Sequence, residues 1–452
     1  MRILFATTAA DGHFNPLSGL AVHLRDAGHD VRWYTGLGYS RRLSEMGIEH
    51  YPFQRAREIN GANLAELFPG RAKLKGPALI RFDFEHVFSS NMTPYFEDVR
   101  DIDRSFPFDV LVTEGAWTAA RLVREVLGKQ VMSIGPGGLL NISRDEPPNF
   151  MGCRPARTPA GRLFYRALNT AMDLMVFNHG RRLYNQVLAE HGVAPITGRL
   201  LAEAYAAPHA SFANSVPGFE LPGRHRPPSV RFAGLLPTHR SRAAEIPREL
   251  AQAGPDRRVV LVSQGTIDNV DPGKLIVPTV EALVDTGVLL VVATGHRNTE
   301  SLRRRFPQEN VAVHDYVDFG AVLERADVFV CNGGHGSVLL SLSRGVPLVV
   351  AGVREGKNDI NARVEYCGAG VNLRTESPSP RRIAKATDRV LTEPSFKARA
   401  QALRDELASY RPLEIIDEYL EAEVEPRLRA RGHTSRPGER QSGRVVAARG
   451  TG

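Results

Sequence analysis

Apolar residues along this chain fall into two alternating patterns. One is the short unbroken run, such as "RILFATT" at residues 2–8, as expected for a parallel strand covered on both faces. The other is helical spacing, as in Leu17, Leu20, Ala21 and Leu24. Asn15 and Pro16 read as the cap and first position of that helix, and Gly28 as its end. Strands "DVRWYT" (30–35), "DVLVTE" (109–114) and "QVMSIG" (130–135) follow, the last two separated by a helical stretch, "AARLVREVLG". Residues 217–258 are rich in Pro, Gly and Arg, which marks a linker. A second series then begins with strand "VVLVS" (259–263), helix "PGKLIVPTVEALVDTG" and strands "VLLVVAT" and "DVFVC". Helix "GSVLLSLSRG", strand "PLVVAG", a further helix and strand "GAGVNL" complete it.

This alternation predicts an α/β chain of two doubly wound, Rossmann-like parallel-sheet domains. The expected limits are residues 1–237 for the first domain, 238–256 for the linker and 257–410 for the second domain. A helix at 411–426, "PLEIIDEYLEAEVEP", and a tail at 427–452 follow. No internal repeat relates the two halves. The irregular stretches 53–100 and 140–210 carry Phe68, Phe82, Phe84, Phe88, Phe150, Phe164 and Phe177. At the carboxyl edge of a parallel sheet such insertions shape a pocket or pack as plain helices, and the pattern alone does not separate the two.

With 452 residues, 42% apolar and 24% charged, the composition is that of a soluble globular protein. The net charge of +8 suggests nucleic acid until it is located. Residues 427–452 hold seven Arg and one Glu, or +6, leaving +2 for the rest, so the excess belongs to a Gly-, Arg- and Ser-rich tail expected to be disordered. Cys153, Cys331 and Cys367 are odd in number and widely spaced, which excludes a disulfide framework or zinc site and fits a reducing cytosol. "MRILFATTAADGH" has too short an apolar run for a signal peptide, and no run is long enough to span a membrane.

Candidate chemistry sits where strands run into helices. "CNGGHGS" (331–337) sets Gly333, Gly334 and Gly336 before a helix whose free N–H groups favour an anion, with Ser337 adding a hydroxyl. "SQGT" (263–266) makes a similar turn with Ser263, Gly265 and Thr266. Two such turns can cradle a diphosphate. The P-loop pattern is absent, as is an intact G-x-G-x-x-G after a strand. At the other end of the chain, "FATTAADGHFNP" places His13 between a strand and a helix.

These blocks resemble a known family. "TTAADGHFNPLSGLAVHLRDAGHDV", "RFAGLLP", "VLVSQGT", "YVDFGAVLERADVFVCNGGHGSVLLSLSRGVPLVV" and "NARVEYCGAGV" are similar, in order and spacing, to GT-B glycosyltransferases of the nucleotide-sugar-dependent macrolide and UDP-glucuronosyl type. The resemblance implies two domains facing each other across a cleft and a C-terminal helix crossing back onto the first. It implies that His13 is the general base, paired with Glu114 where the family has Asp. It places Gly12, Ser263, Gly265, Thr266, Tyr316, Val317, Asn332, Gly333, Gly334, Gly336 and Ser337 at the donor. It further implies an inverting reaction with no metal and no cofactor beyond the sugar nucleotide, and a small apolar acceptor bearing a hydroxyl. "DID" (101–103) is read as solvated rather than metal-binding.

The chain also departs from the family. Tyr316 replaces Trp, Phe319 replaces Gln, Asn332 replaces His and Leu340 replaces the ribose-binding Glu. Lys357 and Asn358 stand for the sugar-contacting Asp-Gln pair, with Glu355 or Asp359 as alternative carboxylates. Arg354, Lys357 and Arg363 read as contacts to phosphate or an acidic sugar, or as a solvated face. These changes leave UDP-glucose and a dTDP-deoxysugar both open as donors. The competing readings are a nucleotide-sugar epimerase of the same fold, an idle sugar-nucleotide-binding auxiliary protein, and a lipid-linked transferase at a membrane face. No nucleic acid and no membrane insertion are expected, and nothing in the chain specifies an oligomeric state.

Overall fold

The strand Arg2–Ala6 (β1) shows why its sequence is apolar throughout. Ile3 and Phe5 enter one core cluster and Leu4 and Ala6 another, so both faces of the sheet are covered. The same split recurs in the second half, where Val259 and Leu261 face one core and Val260 and Val262 the other. The computed structural model describes residues 1–61, 63–223, 226–239, 246–265, 269–430 and 432. The expected tail beyond Gly432 and the candidate Thr266 lie outside the described residues.

Two all-parallel sheets result. The first contains β1, Asp30–Thr35 (β2), Glu49–Pro52 (β3), Val110–Glu114 (β4), Gln130–Gly135 (β5), Ala210–Ala213 (β6) and Val230–Phe232 (β7). Its order is β3-β2-β1-β4-β5-β6-β7. The second contains Val259–Ser263 (β8), Leu289–Ala293 (β9), Val311–His314 (β10), Val328–Cys331 (β11), Leu348–Val350 (β12) and Gly370–Asn372 (β13), in the order β10-β9-β8-β11-β12-β13. Strands β3, β6, β7 and β10 have three or four residues each, too few to show a period. Each sheet reverses its winding once, at β1/β4 and at β8/β11. Those are the crevices where ligands bind in open parallel sheets.

One helix start differs from expectation. The helix spans Asp11–Asp26, with Ala10 as its cap and Pro16 inside it. The N–H groups of His13 and Phe14 already donate to the Ala10 carbonyl, at 2.9 and 3.0 Å, so the first turn closes before Asn15. Lacking an N–H, Pro16 leaves the Gly12 carbonyl without its helical donor. His13 therefore stands in the first turn of the helix rather than in the loop before it.

The two lobes are fastened in both directions. The C-terminal helix from Pro412 places Ile416, Tyr419, Leu420, Val424 and Leu428 in the core of the first sheet. In return, Val216 and Phe219 of the first half sit in the core of the second with Leu403 and Leu407. Glu220 and Arg363 form a buried ion pair at 2.7 Å, with side chains 1% and 4% exposed. Arg363 also donates to the Leu139 carbonyl, and the Leu139 N–H donates to Glu220 at 3.2 Å. Arg363 is thus neither a solvated residue nor a phosphate contact; it joins the lobes. Burial raises the Glu220 pKa, but the Arg363 guanidinium outweighs it and holds the carboxyl below its usual range.

Glu220→Ala would leave a buried, uncompensated guanidinium and should cost about 3–5 kcal/mol in urea-unfolding free energy. In the native protein the pair's contribution is present above the unfolded carboxyl pKa and is lost as pH falls through the lowered folded value. Thermal unfolding of wild type and variant should converge on acidification.

Candidate active site

Glu114 ends β4 at the first crevice with 1% of its surface exposed. Its Oε2 lies 3.0 Å from Nδ1 of His13, whose side chain is 26% exposed. The oxygen stands off the axis of the ring N–H, so the contact is a close electrostatic one rather than a straight hydrogen bond, and becomes an ion pair when the imidazole is protonated. The backbone N–H groups of Thr8 and Ala116 also donate to the carboxylate. Burial pushes the His13 pKa down, but the Glu114 charge prevails and raises it above the 6.5 of a free imidazole. Burial likewise raises the Glu114 pKa, and its contacts with His13 and the two amides bring it below the ordinary value. Nδ1 faces the carboxylate, which leaves Nε2 for whatever enters the cleft. Gly12, beside it, is exposed.

The second crevice lies between β8 and β11. Ser263 closes β8, and its hydroxyl accepts from the Gly265 N–H at 3.3 Å. Asn332, just past β11, donates its side-chain amide to the Gln264 carbonyl and so ties the two glycine turns together. One of its two amide hydrogens is thereby committed inside the protein. Gly333 has φ +85°, and a Cβ there would collide with Asn361 Oδ1. Only glycine fits, because the buried Asn361, which donates to the Gly352 carbonyl, occupies the space. Gly334 then caps the helix His335–Ser343, with Gly336 exposed and Ser337 half-buried in its first turn. The hydroxyl of Ser337 has no hydrogen-bond partner among the described residues.

Elements from both lobes meet around these crevices. Tyr316, after β10, is 49% exposed and packs edge-on against His296 at 4.3 Å. Burial raises its pKa, and the charges of Asp11 and Arg42 in the first lobe act on it as well. Val317, by contrast, is buried in the second core. Asp11 holds Arg42 at 2.8 Å, and Arg42 lies over the Phe14 ring at 4.5 Å. Glu355 adopts φ +55°, unusual for a non-glycine residue, and pairs with Lys357 at 2.9 Å. Asn358 donates to the Phe150 carbonyl, while Asp359 accepts from the N–H groups of Phe150 and Gly152 at 2.6 and 2.7 Å. Asn358 and Asp359 therefore hold the loop at 150–152 of the first lobe. Glu355 remains the carboxylate of this loop without a first-lobe hydrogen bond, 41% exposed at its side chain. Among the described residues no group of three or more His, Cys, Asp or Glu side chains is arranged to hold a metal ion. Asp101 of "DID" pairs with Arg55 and Arg104, and Asp103 with Lys129.

Residues 278–422 match the family model described as "Erythromycin biosynthesis protein CIII-like, C-terminal domain". The chain is 34% identical over 408 residues to 4'-demethylrebeccamycin synthase of Lentzea aerocolonigenes, covering 90% of this chain and 96% of that one. It belongs to the GT-B nucleotide-sugar-dependent glycosyltransferases. UDP-glucosyltransferase A1 of Starmerella bombicola is 28% identical over 436 residues, 93% of this chain and 91% of that relative. The crystal structure of the glycosyltransferase of kitacinnamycin shares the fold with a TM-score of 0.73 at 20% identity, covering 94% of this chain and 99% of its own.

Several residues of this glycosyltransferase escaped the sequence reading. His335 is buried, and its Nε2 lies 2.9 Å from the Asn214 carbonyl of the first lobe. Burial lowers its pKa, so it stays neutral. It lies inside the glycine turn, where no spacing pattern flags a side chain. Asn361 and Glu220 were missed for the same reason: each acts through a partner more than eight residues away in the chain. Leu340, where the family has its ribose-binding Glu, packs partly buried against the second core.

The His13 imidazole should titrate above 6.5 in an NMR pH series. In Glu114→Gln the carboxylate charge is gone while burial persists, so the midpoint should fall below 6.5. A midpoint unchanged by this substitution contradicts the pairing.

Proposed function

We propose that this glycosyltransferase moves a sugar from a UDP- or dTDP-linked donor to a hydroxyl of a small, largely apolar natural product, with inversion and without a metal. The observation that carries this reading is the pairing of His13 with a buried Glu114 at the crevice of the first sheet, and the glycine-lined helix start at the crevice of the second sheet supports it. His13 Nε2 takes the acceptor's hydroxyl proton as that oxygen bonds to the anomeric carbon. The bond from that carbon to the diphosphate oxygen breaks on the far side, which inverts the centre. Glu114 steadies the imidazolium that forms. Charge growing on the departing diphosphate is met by the N–H groups around Gly334, Gly336 and Ser337, together with Ser263 and, outside the described residues, Thr266. Backbone amides and a helix dipole supply the positive potential that a metal would otherwise bring.

Tyr316 offers its ring to the nucleobase, and Glu355 with Lys357 borders the sugar. The acceptor's apolar surface meets the half-buried aromatic residues of the insertions, where Phe84 lies 5.5 Å from Phe88 and 6.0 Å from Phe150. The names of the relatives, a rebeccamycin synthase among them, favour a natural-product acceptor. Three free cysteines fit action in the cytosol, and among the described residues no helix is long and apolar enough to cross a membrane.

His13→Ala should lower kcat by about 10²–10⁴-fold while donor affinity, read by calorimetry with the nucleoside diphosphate, stays within about twofold. The kcat/KM profile of the wild type should fall on the acid side through a pKa above 6.5, because only the neutral imidazole accepts a proton. NMR of the product's anomeric proton should report inversion. An undiminished rate in His13→Ala removes the base assignment.

A further inference from the structure

We propose that the outer face of the helices at residues 76–82 and 159–177 is a docking surface for an anionic lipid layer. The helix Pro159–Met172 runs into a wider π-helical turn, Asp173–Phe177, which packs on the short helix Gly76–Phe82. The inner side of this unit is satisfied: Met172, Val176 and Phe177 are buried with Leu201, against Ile80, Phe84 and Phe150. The outer side is not. Leu163, Phe164, Leu174 and Met175 are between 63% and 73% exposed. The eleven residues separating Leu163 from Leu174, and Phe164 from Met175, make about three helical turns, so all four lie along one stripe. Phe164, expected among the pocket aromatics, points instead to this outside face. Scattered exposed apolar residues need no explanation, but four large ones on one stripe do.

The charges around the stripe identify the occupant. Segments 71–88 and 154–177 carry eight basic and three acidic residues, a net of +5. All three acids are neutralised within the protein: Asp83 by Arg71 at 2.6 Å, Glu85 by Arg81 at 2.7 Å, and Asp173 by Arg199 at 3.0 Å and Arg144 at 3.2 Å. Lys73, Lys75, Arg157, Arg162 and Arg166 form no ion pair with a described residue, and all but the half-buried Arg162 are exposed. An apolar stripe rimmed by unpaired cations, on a helix too short to span, fits the boundary of an anionic bilayer. A second copy of the chain fits poorly, since a two-fold contact through this face would oppose two cationic rims. The expected tail is also cationic, so the test has to separate face from tail.

The test is sedimentation of the full-length chain with vesicles of phosphatidylglycerol and phosphatidylcholine, against phosphatidylcholine alone. The wild type should partition onto the anionic vesicles and be released by salt. The double variants Phe164→Ser with Met175→Ser, and Arg162→Glu with Arg166→Glu, should each bind at least about tenfold more weakly. Both should keep wild-type thermal unfolding and transfer to a water-soluble acceptor. The proposal fails if the wild type ignores anionic vesicles. It fails equally if both variants bind like the wild type, which assigns binding to the tail. A serine variant that changes only the molecular mass in solution overturns it in favour of self-association.

Discussion

A carboxylate taken out of water at the end of a central strand must be compensated, and Glu114 is compensated by His13 and two backbone amides. That constraint organises the first crevice. It joins the loop after β1, the first turn of the Asp11–Asp26 helix and the turn after β4 around one buried charge. It also sets the proton affinity of the imidazole. Burial alone would make His13 a weaker base, whereas the paired carboxylate makes it a stronger one and fixes which ring nitrogen faces the cleft. The pair is thus a structural fastener and a tuned acid–base group at once.

The second lobe uses buried polar groups differently. Arg363–Glu220, His335–Asn214 and Asp359 with the amides of 150–152 all cross between lobes and are largely removed from solvent. Several of the positions at which this chain departs from its family serve the same end. Asn332 closes one glycine turn onto the other, Asn358 grips Phe150, and Leu340 packs against the core. Asn332, Asn358 and Leu340 thus have partners inside the protein, while Tyr316 and Glu355 are exposed and the Ser337 hydroxyl has no hydrogen-bond partner among the described residues. Separating the lobes would break one buried ion pair and these buried hydrogen bonds together, which is costly.

The sheet pattern was legible because strands buried on both faces must be continuously apolar, and β1, β8, β9 and β11 are. The places of His13 and the glycine turns were legible because residue type and spacing mark turns that run from a parallel strand into a helix. Three things were hidden. Short strands such as β7, with three residues, lack a period. The helix start at Asp11 was masked by Asn15 and Pro16, which form a better cap signal than the Ala10 actually used. The fasteners Glu220, Arg363 and Asp359 depend on partners far away in the chain, and no local pattern encodes such a pairing. Arg363 shows this most plainly, since an arginine near an anion site reads as a ligand contact until its buried partner is seen.

The central claim is that His13 and the helix start at Gly334–Ser337 serve the two ends of one reaction. A crystal structure with both a nucleoside diphosphate and an acceptor bound tests it most directly. The account predicts the diphosphate against the N–H groups of 334–337 and the acceptor hydroxyl about 3 Å from His13 Nε2. A diphosphate seated elsewhere, or an acceptor hydroxyl out of reach of that nitrogen, would contradict it.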